Sequence, residues 1–113
     1  MEIRNAQIIN TMMGREDHGI FTFCIFVRFG GSQCGIGGYV LDEPSEDGKR
    51  RVFRAESMEA ISMILEVVGV NKWEDLKGKY IRVKDNGWGS PINEIGNLME
   101  EKWFNIKKFF SEP

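Results

Sequence analysis

The residues best suited to chemistry in this chain are an aromatic ring in a loop and the cations placed near it. Trp88 lies between Gly87 and Gly89 in the polar stretch Asp85-Asn86-Gly87-Trp88-Gly89-Ser90-Pro91. The glycines give the ring little local support, so it either folds back onto the core or stands out as a platform for a flat ligand. A stacked base is worth about 1–3 kcal/mol. Arg82 and Lys84 precede this loop, and Arg28 closes an aromatic run beside a glycine-rich segment. Arg28 and Arg82 are placed to meet a pyrophosphate through charge-assisted hydrogen bonds. Lys49-Arg50-Arg51 and Arg54 form a second basic cluster; it reads as a solvated hairpin edge, although it could also hold an anion.

Catalytic chemistry has little support. Asp17 and His18 are adjacent within Glu16-Asp17-His18-Gly19, which reads as a turn rather than as a base with its orienting acid. No nucleophile elbow accompanies them. The segment Gly35-Ile36-Gly37-Gly38 leads into Tyr39-Val40-Leu41 and not into a helix N-terminus, so it is not a phosphate loop. With a single histidine and no C-x-x-C pair, zinc is not expected. Glu100-Glu101 reads as a solvated face. The expectation is a protein that is not an enzyme and needs no cofactor.

The elements that must position these groups begin with a hairpin. Phe21-Thr22-Phe23-Cys24-Ile25-Phe26-Val27 is rich in aromatic and β-branched residues and reads as a strand. Gly30-Gly31 then supplies a two-residue turn. In that register Val27 faces Cys34, Phe26 faces Gly35 and Cys24 faces Gly37. The returning strand therefore lacks a side chain at two successive positions on one face, a gap for neighbouring rings or for a ligand. Cys24 and Cys34 fall on opposite faces with Cα atoms about 10 Å apart, beyond the reach of a disulfide.

An opening strand holds Ile3, Ile8 and Ile9, and a turn over residues 43–48 returns the chain through Arg51-Val52-Phe53-Arg54. Met58, Ile61, Ile64, Leu65 and Val68 recur at helical spacing, with Ser57 as the expected N-cap and Gly69 as the stop. Asn71 and Glu74 have the spacing of a capping box for a short second helix, with Trp73 and Leu76 inward and Gly78 ending it. Tyr80-Ile81-Arg82-Val83-Lys84 alternates as a strand with both cations on one face. Residues 92–98 can form another strand, and an aromatic tail follows with Trp103, Phe104, Ile106, Phe109 and Phe110. The order predicts one α+β domain over residues 1–113, built on a mainly antiparallel sheet with one main and one short helix.

Composition narrows the function classes. The chain has 113 residues, 42% hydrophobic and 28% charged, which suits one globular domain. A formal net charge of -2 argues against a DNA coat or an anionic-membrane binder. No apolar run approaches the roughly 20 residues of a membrane span. Met1-Glu2 does not open like a secretory signal, so a cytosolic setting is expected. The aromatic strand carries Phe21, Phe23, Ile25, Val27 and Phe29 on one face, with Cys24 and Phe26 on the other. This is more apolar surface than two helices cover, which predicts at least a homodimer.

A family resemblance spans nearly the whole chain. It rests on Glu16-Asp17-His18-Gly19-Ile20, Gly37-Gly38-Tyr39-Val40-Leu41-Asp42, Val67-Val68-Gly69-Val70-Asn71-Lys72-Trp73-Glu74-Asp75-Leu76, Tyr80-Ile81-Arg82-Val83, Glu94-Ile95-Gly96-Asn97 and Lys102-Trp103-Phe104. This ordered set resembles the first-described family of phage and prophage Thoeris anti-defence sponges. The resemblance implies a non-enzymatic protein of the host-cell cytoplasm that sequesters a cyclic ADP-ribose signal made by TIR-domain enzymes. It also implies dimers assembling into hexamers and a separate capacity for cyclic trinucleotides. The family's ligand-holding aromatic and asparagine correspond to Trp88 and Asn97, and its phosphate-meeting arginines to Arg28, Arg82 or Arg54. Where related proteins carry a Gly-Thr-Ala-rich entry to the main helix, this chain has Phe53-Arg54-Ala55-Glu56-Ser57. Two other classes stay open: a phage inhibitor that binds a host defence protein directly, and an enzyme that degrades the nucleotide. A sponge releases its ligand intact on denaturation, an enzyme returns product, and a protein inhibitor binds no nucleotide.

Overall fold

Alternating apolar residues in the first half produce three long strands, β1 (Glu2–Arg15), β2 (Phe21–Phe29) and β3 (Ser32–Val40). The structure, a computed structural model, describes residues 1–16 and 19–111; Asp17 and His18, and with them the centre of the turn expected there, lie outside the described residues. A short hairpin of β4 (Asp42–Pro44) and β5 (Arg51–Phe53) precedes the main helix α1 (Ala55–Val68). The chain then adds β6 (Tyr80–Asp85), β7 (Glu94–Gly96), β8 (Trp103–Asn105) and the short helix α2 (Ile106–Ser111). Six strands form one antiparallel sheet in the order β3-β2-β1-β6-β7-β8, and β4 and β5 pair separately. The architecture is α+β, as the order of elements predicts.

The β2–β3 register is the one the glycine pair implies: Val27 faces Cys34, Phe26 faces Gly35 and Cys24 faces Gly37. The glycine gap is filled from the sheet itself. A Cβ on Gly35 would lie 2.8 Å from the Cys24 sulfur, and Gly37, at φ 130°, would place one 2.6 Å from the Phe23 carbonyl oxygen. Both cysteines are free.

One face of the sheet carries Ala6, Ile8, Phe23, Ile25, Val27, Ile36, Ile81, Val83, Ile95 and Phe104 into the core with Ala60, Ile61, Ile64 and Val67 of α1. Fully burying a large aliphatic or aromatic side chain stabilises the fold by roughly 1.5–3 kcal/mol. The aromatic tail closes this core. Phe109 meets Phe104 edge-on, and Phe110 stacks on Tyr39 with centroids 4.9 Å apart. On the other face Ile3, Phe26 and Tyr80 remain exposed.

Four local expectations differ from the structure. Ser57 does not cap α1; Arg54 holds the N-cap position without a side-chain cap bond, and Ser57 is buried, donating its hydroxyl to the Leu41 carbonyl at 2.9 Å. The buried stripe is consequently rotated to Ser57, Ala60, Ile61, Ile64 and Val67, leaving Met58 64% exposed. Asn71 and Glu74 do not form a capping box: only one 3-10 turn, Trp73–Asp75, forms there, preceded by Lys72 and with no side-chain cap. The short helix is instead α2, in the aromatic tail, and the strand expected over residues 92–98 shrinks to Glu94–Gly96. Gly69 does end α1, at φ 92°, donating its N–H to the Leu65 carbonyl.

Asp42 holds the small hairpin to the main sheet. It is buried and accepts hydrogen bonds from the Phe21 N–H at 3.1 Å and from Arg51 Nη2 at 2.8 Å. The Arg51 hydrogen bond, joined by the Phe21 N–H, holds its carboxyl below the usual range. A carboxyl pKa depressed by folding adds stability that is complete above the unfolded value of about 4 and is lost as pH falls through the folded value. Wild type is therefore expected to unfold at a higher temperature than Asp42→Asn at neutral pH. The gap should shrink below about pH 4, which thermal melts across pH will read. A gap that is constant with pH would contradict this assignment.

Candidate functional site

The two features that stand out in the sequence, the glycine-rich hairpin and the Trp88 loop, meet in space. The β1–β6 register pairs Glu2 with Asp85, so β6 ends at the same end of the sheet where β2 turns into β3. From there the 86–93 loop crosses to the hairpin. Together they enclose a cleft of about 540 Å³ lined by Phe29, Ser32, Gln33, Cys34, Gly35, Asp85 and the loop from Gly87 to Ile92. That volume falls within the range of small-molecule sites.

Trp88 is fully exposed at the rim. It does not fold back to cap the core, because Gly87 and Gly89 turn the loop at φ 107° and 81° while Ile92 takes the buried position. Asp85 anchors the loop. Its Oδ1 accepts the Gly87 N–H at 2.9 Å and its Oδ2 accepts Arg4 Nε at 2.8 Å. The Gly87 N–H and then Arg4 hold the Asp85 carboxyl below the ordinary carboxylate range. Trp88 also borders a second depression, of about 570 Å³, formed with Met1, Glu2, Arg4, Asp85, Asn86 and Gly87. The ring thus stands on a ridge between two hollows, with both faces open to solvent.

The cations are placed differently from the pattern that the sequence suggests. Arg82 is committed through all three guanidinium nitrogens. Its Nε donates to the Asn97 carbonyl at 2.7 Å, Nη2 donates to the Glu100 carbonyl at 2.8 Å, and Nη1 pairs with the Glu101 carboxylate at 2.9 Å. Its side chain is only 16% exposed, and its guanidinium lies 4.7 Å over the Trp103 ring. Lys84 flanks the same ring at 4.6 Å and pairs with Glu94. Trp103 rests against the bare backbone of Gly96, where an added Cβ would come within 2.6 Å of the indole. The two cations on one strand face therefore clamp an aromatic ring and the turn that follows β7.

Asn97 belongs to this clamp. Its Nδ2 donates to the Val67 carbonyl of α1 at 2.9 Å, while its Oδ1 accepts the N–H groups of Met99 and Glu100. Arg82 and Asn97 meet each other, but neither lines the Trp88 cleft. Arg28 donates to the Gln7 side chain at 3.3 Å and borders a shallow hollow with Asn5, Gln7 and Tyr80. Arg54 donates to the Val40 carbonyl at the entry to α1. Among the described residues, Arg4 is the arginine or lysine that reaches the Trp88 ridge, and it also pairs with Glu2 at 3.2 Å. Nothing local in the sequence singles out Arg4; only the long-range β1–β6 pairing places it there.

Among the described residues there is no cluster of histidine, cysteine, aspartate or glutamate arranged to hold a metal ion. No helix among them is long and apolar enough to cross a membrane. Comparisons with protein-family models, with curated proteins and with solved structures find no match.

Proposed function

We propose that the protein is a phage- or prophage-encoded sponge that binds a cyclic ADP-ribose signal and holds it without cleaving it. The observation that carries this reading is the open ring of Trp88 on a ridge between two hollows large enough for a nucleotide. The sequence resemblance supplies the ligand class. The adenine base stacks on Trp88, and Arg4 is the protomer's own side-chain cation for the phosphates. Arg4 is shared with Asp85 and Glu2, so a phosphate competes with these two carboxylates for its guanidinium. Sequestration needs slow release and no transition-state stabilisation. Arg54, one of the three arginines that the resemblance offers for phosphates, borders a separate hollow lined almost wholly by apolar side chains and lies away from the Trp88 ridge.

The test is to incubate the protein with the product of a TIR-domain enzyme, remove free ligand, heat the complex and identify the released molecule by mass spectrometry. Intact cyclic ADP-ribose signal supports the sponge. A linear product would mean an enzyme, and no bound nucleotide would favour direct inhibition of a host protein.

Assembly is a linked expectation. Ile3, Phe26 and Tyr80 are exposed on the face of the sheet opposite the core. Burying them against a second copy removes apolar surface from water. Light scattering at micromolar concentration should give at least twice the protomer mass, and a monomer would contradict it.

A further inference from the structure

The six-stranded sheet ends on an open edge. β3 pairs with β2 on one side and, among the described residues, with no strand on the other. The opposite edge is β8, three residues long and continued directly by α2. Long edge strands are ordinarily blunted by lysine, proline or an inward-pointing charge. The nine residues from Ser32 to Val40 include no proline and no charged side chain. Phe29 and Ser32 flank the two-residue turn, so they form a hydrogen-bonded pair, and with them Val27–Cys34 and Ile25–Ile36. Gln33 and Gly35 therefore turn their N–H and C=O groups outward, and both residues are exposed. No other backbone group among the described residues pairs with them. Beyond Ile36 the strand bends away, because Gly37 and Gly38 take φ of 130° and 80° where the β2 register shifts.

We infer that β3 joins β3 of a second copy, antiparallel about a two-fold axis through Cys34, to make one continuous sheet. The straight run over residues 32–36 has Cys34 as its midpoint, so it pairs with itself and leaves no outward group unused. Gln33 of each copy exchanges both backbone hydrogen bonds with the other's Gly35, and Ser32 stands across from Ile36. With no charge along the edge, the two copies do not repel there. A two-fold contact also closes on itself and covers both edges, whereas a head-to-tail contact leaves one open for further growth. On the outer face Phe26 is 37% exposed and its ring lies over Gly35, where an added Cβ would be 3.6 Å away. The second copy's Gln33 continues that cross-strand row and covers the ring. This contact is distinct from burial of Ile3 and Tyr80, which belong to β1 and β6, and it does not rest on the nucleotide reading.

The register makes Cys34 a reporter. Residues opposite each other in a pair without hydrogen bonds have Cα atoms about 4.5 Å apart, within the roughly 4.4–6.8 Å that a disulfide spans. Cys34 is half-buried and free on the edge strand, while Cys24 is on an interior strand. Oxidation by copper–phenanthroline in air at micromolar protein is expected to give a covalent dimer from wild type and Cys24→Ser, and none from Cys34→Ser. Gln33→Pro removes an outward donor and keeps every β2–β3 hydrogen bond. Sedimentation should show this variant dimerising at least tenfold more weakly, with circular dichroism confirming the fold. Amide hydrogen exchange needs no substitution: the Gln33 and Gly35 N–H groups should exchange slowly in wild type, where on a free edge they exchange like loop amides. A wild type that sediments as a monomer would overturn the inference. So would fast exchange at both amides, or a dimer that survives Gln33→Pro and forms no Cys34 cross-link, because the copies would then meet through another surface.

Discussion

Trp88→Ala is expected to lower the affinity for a cyclic ADP-ribose signal at least tenfold while leaving the unfolding temperature where it is. The side chain is fully exposed, so its removal takes nothing from the core. The loop keeps its anchor through Asp85 and the Gly87 N–H. Losing one stacked ring costs about 1–3 kcal/mol, and 1.4 kcal/mol corresponds to roughly a tenfold change in affinity. Calorimetry gives the affinity and a thermal melt the control. Neutralising Lys49 and Arg50 together should leave binding nearly unchanged, since both are exposed on the small hairpin and away from the cleft. Unchanged affinity in Trp88→Ala would remove the ridge from consideration.

Asn97→Ala should behave in the opposite way, losing stability first. The substitution strips the Val67 carbonyl of a donor and the Met99 and Glu100 N–H groups of their shared acceptor. Unpartnered polar groups in a partly buried setting cost about 1–3 kcal/mol each, less where water reaches them, so a net loss of roughly 2 kcal/mol is expected. For a domain of this size that lowers Tm by roughly 10 °C. Arg82→Ala should act in the same direction, because its three nitrogens hold the same turn. In both variants, ligand affinity measured well below the lowered Tm should fall little. If Asn97→Ala kept the wild-type Tm and lost the ligand, Asn97 would be a contact residue as the family resemblance implies, and the clamp a minor feature.

The contrast between Trp88 and Arg82 shows why only part of the site was legible. The polar, glycine-flanked setting of Trp88 is a local property, and local chemistry decides that its ring has no intrinsic support. Arg82 and Lys84 look equally free in the sequence, since alternation on a strand says only that they share a face. What stands across that face is set by β7 and β8, whose pairing brings Gly96 under Trp103 and the 97–102 turn within reach of the guanidinium. Arg4 is the converse case. It is unremarkable within its own strand and becomes relevant because Glu2 pairs with Asp85 across more than eighty residues.

By itself, the sequence determined what depends on neighbours along the chain. It set the α+β class, the Gly30-Gly31 hairpin with its register, the left-handed stop at Gly69 and the unsupported ring at Trp88. Turn geometry and strand alternation act over a few residues, so residue types suffice for them. The tertiary structure alone decided the rotation of α1 that buries Ser57 and exposes Met58, and the helix in the aromatic tail in place of one after Asn71. It also decided the spending of Arg82, Lys84 and Asn97 on a structural clamp. Those outcomes follow from which apolar faces meet and which backbone groups remain to be satisfied once they have met. That competition is settled between segments far apart in the chain, where no local pattern records the winner.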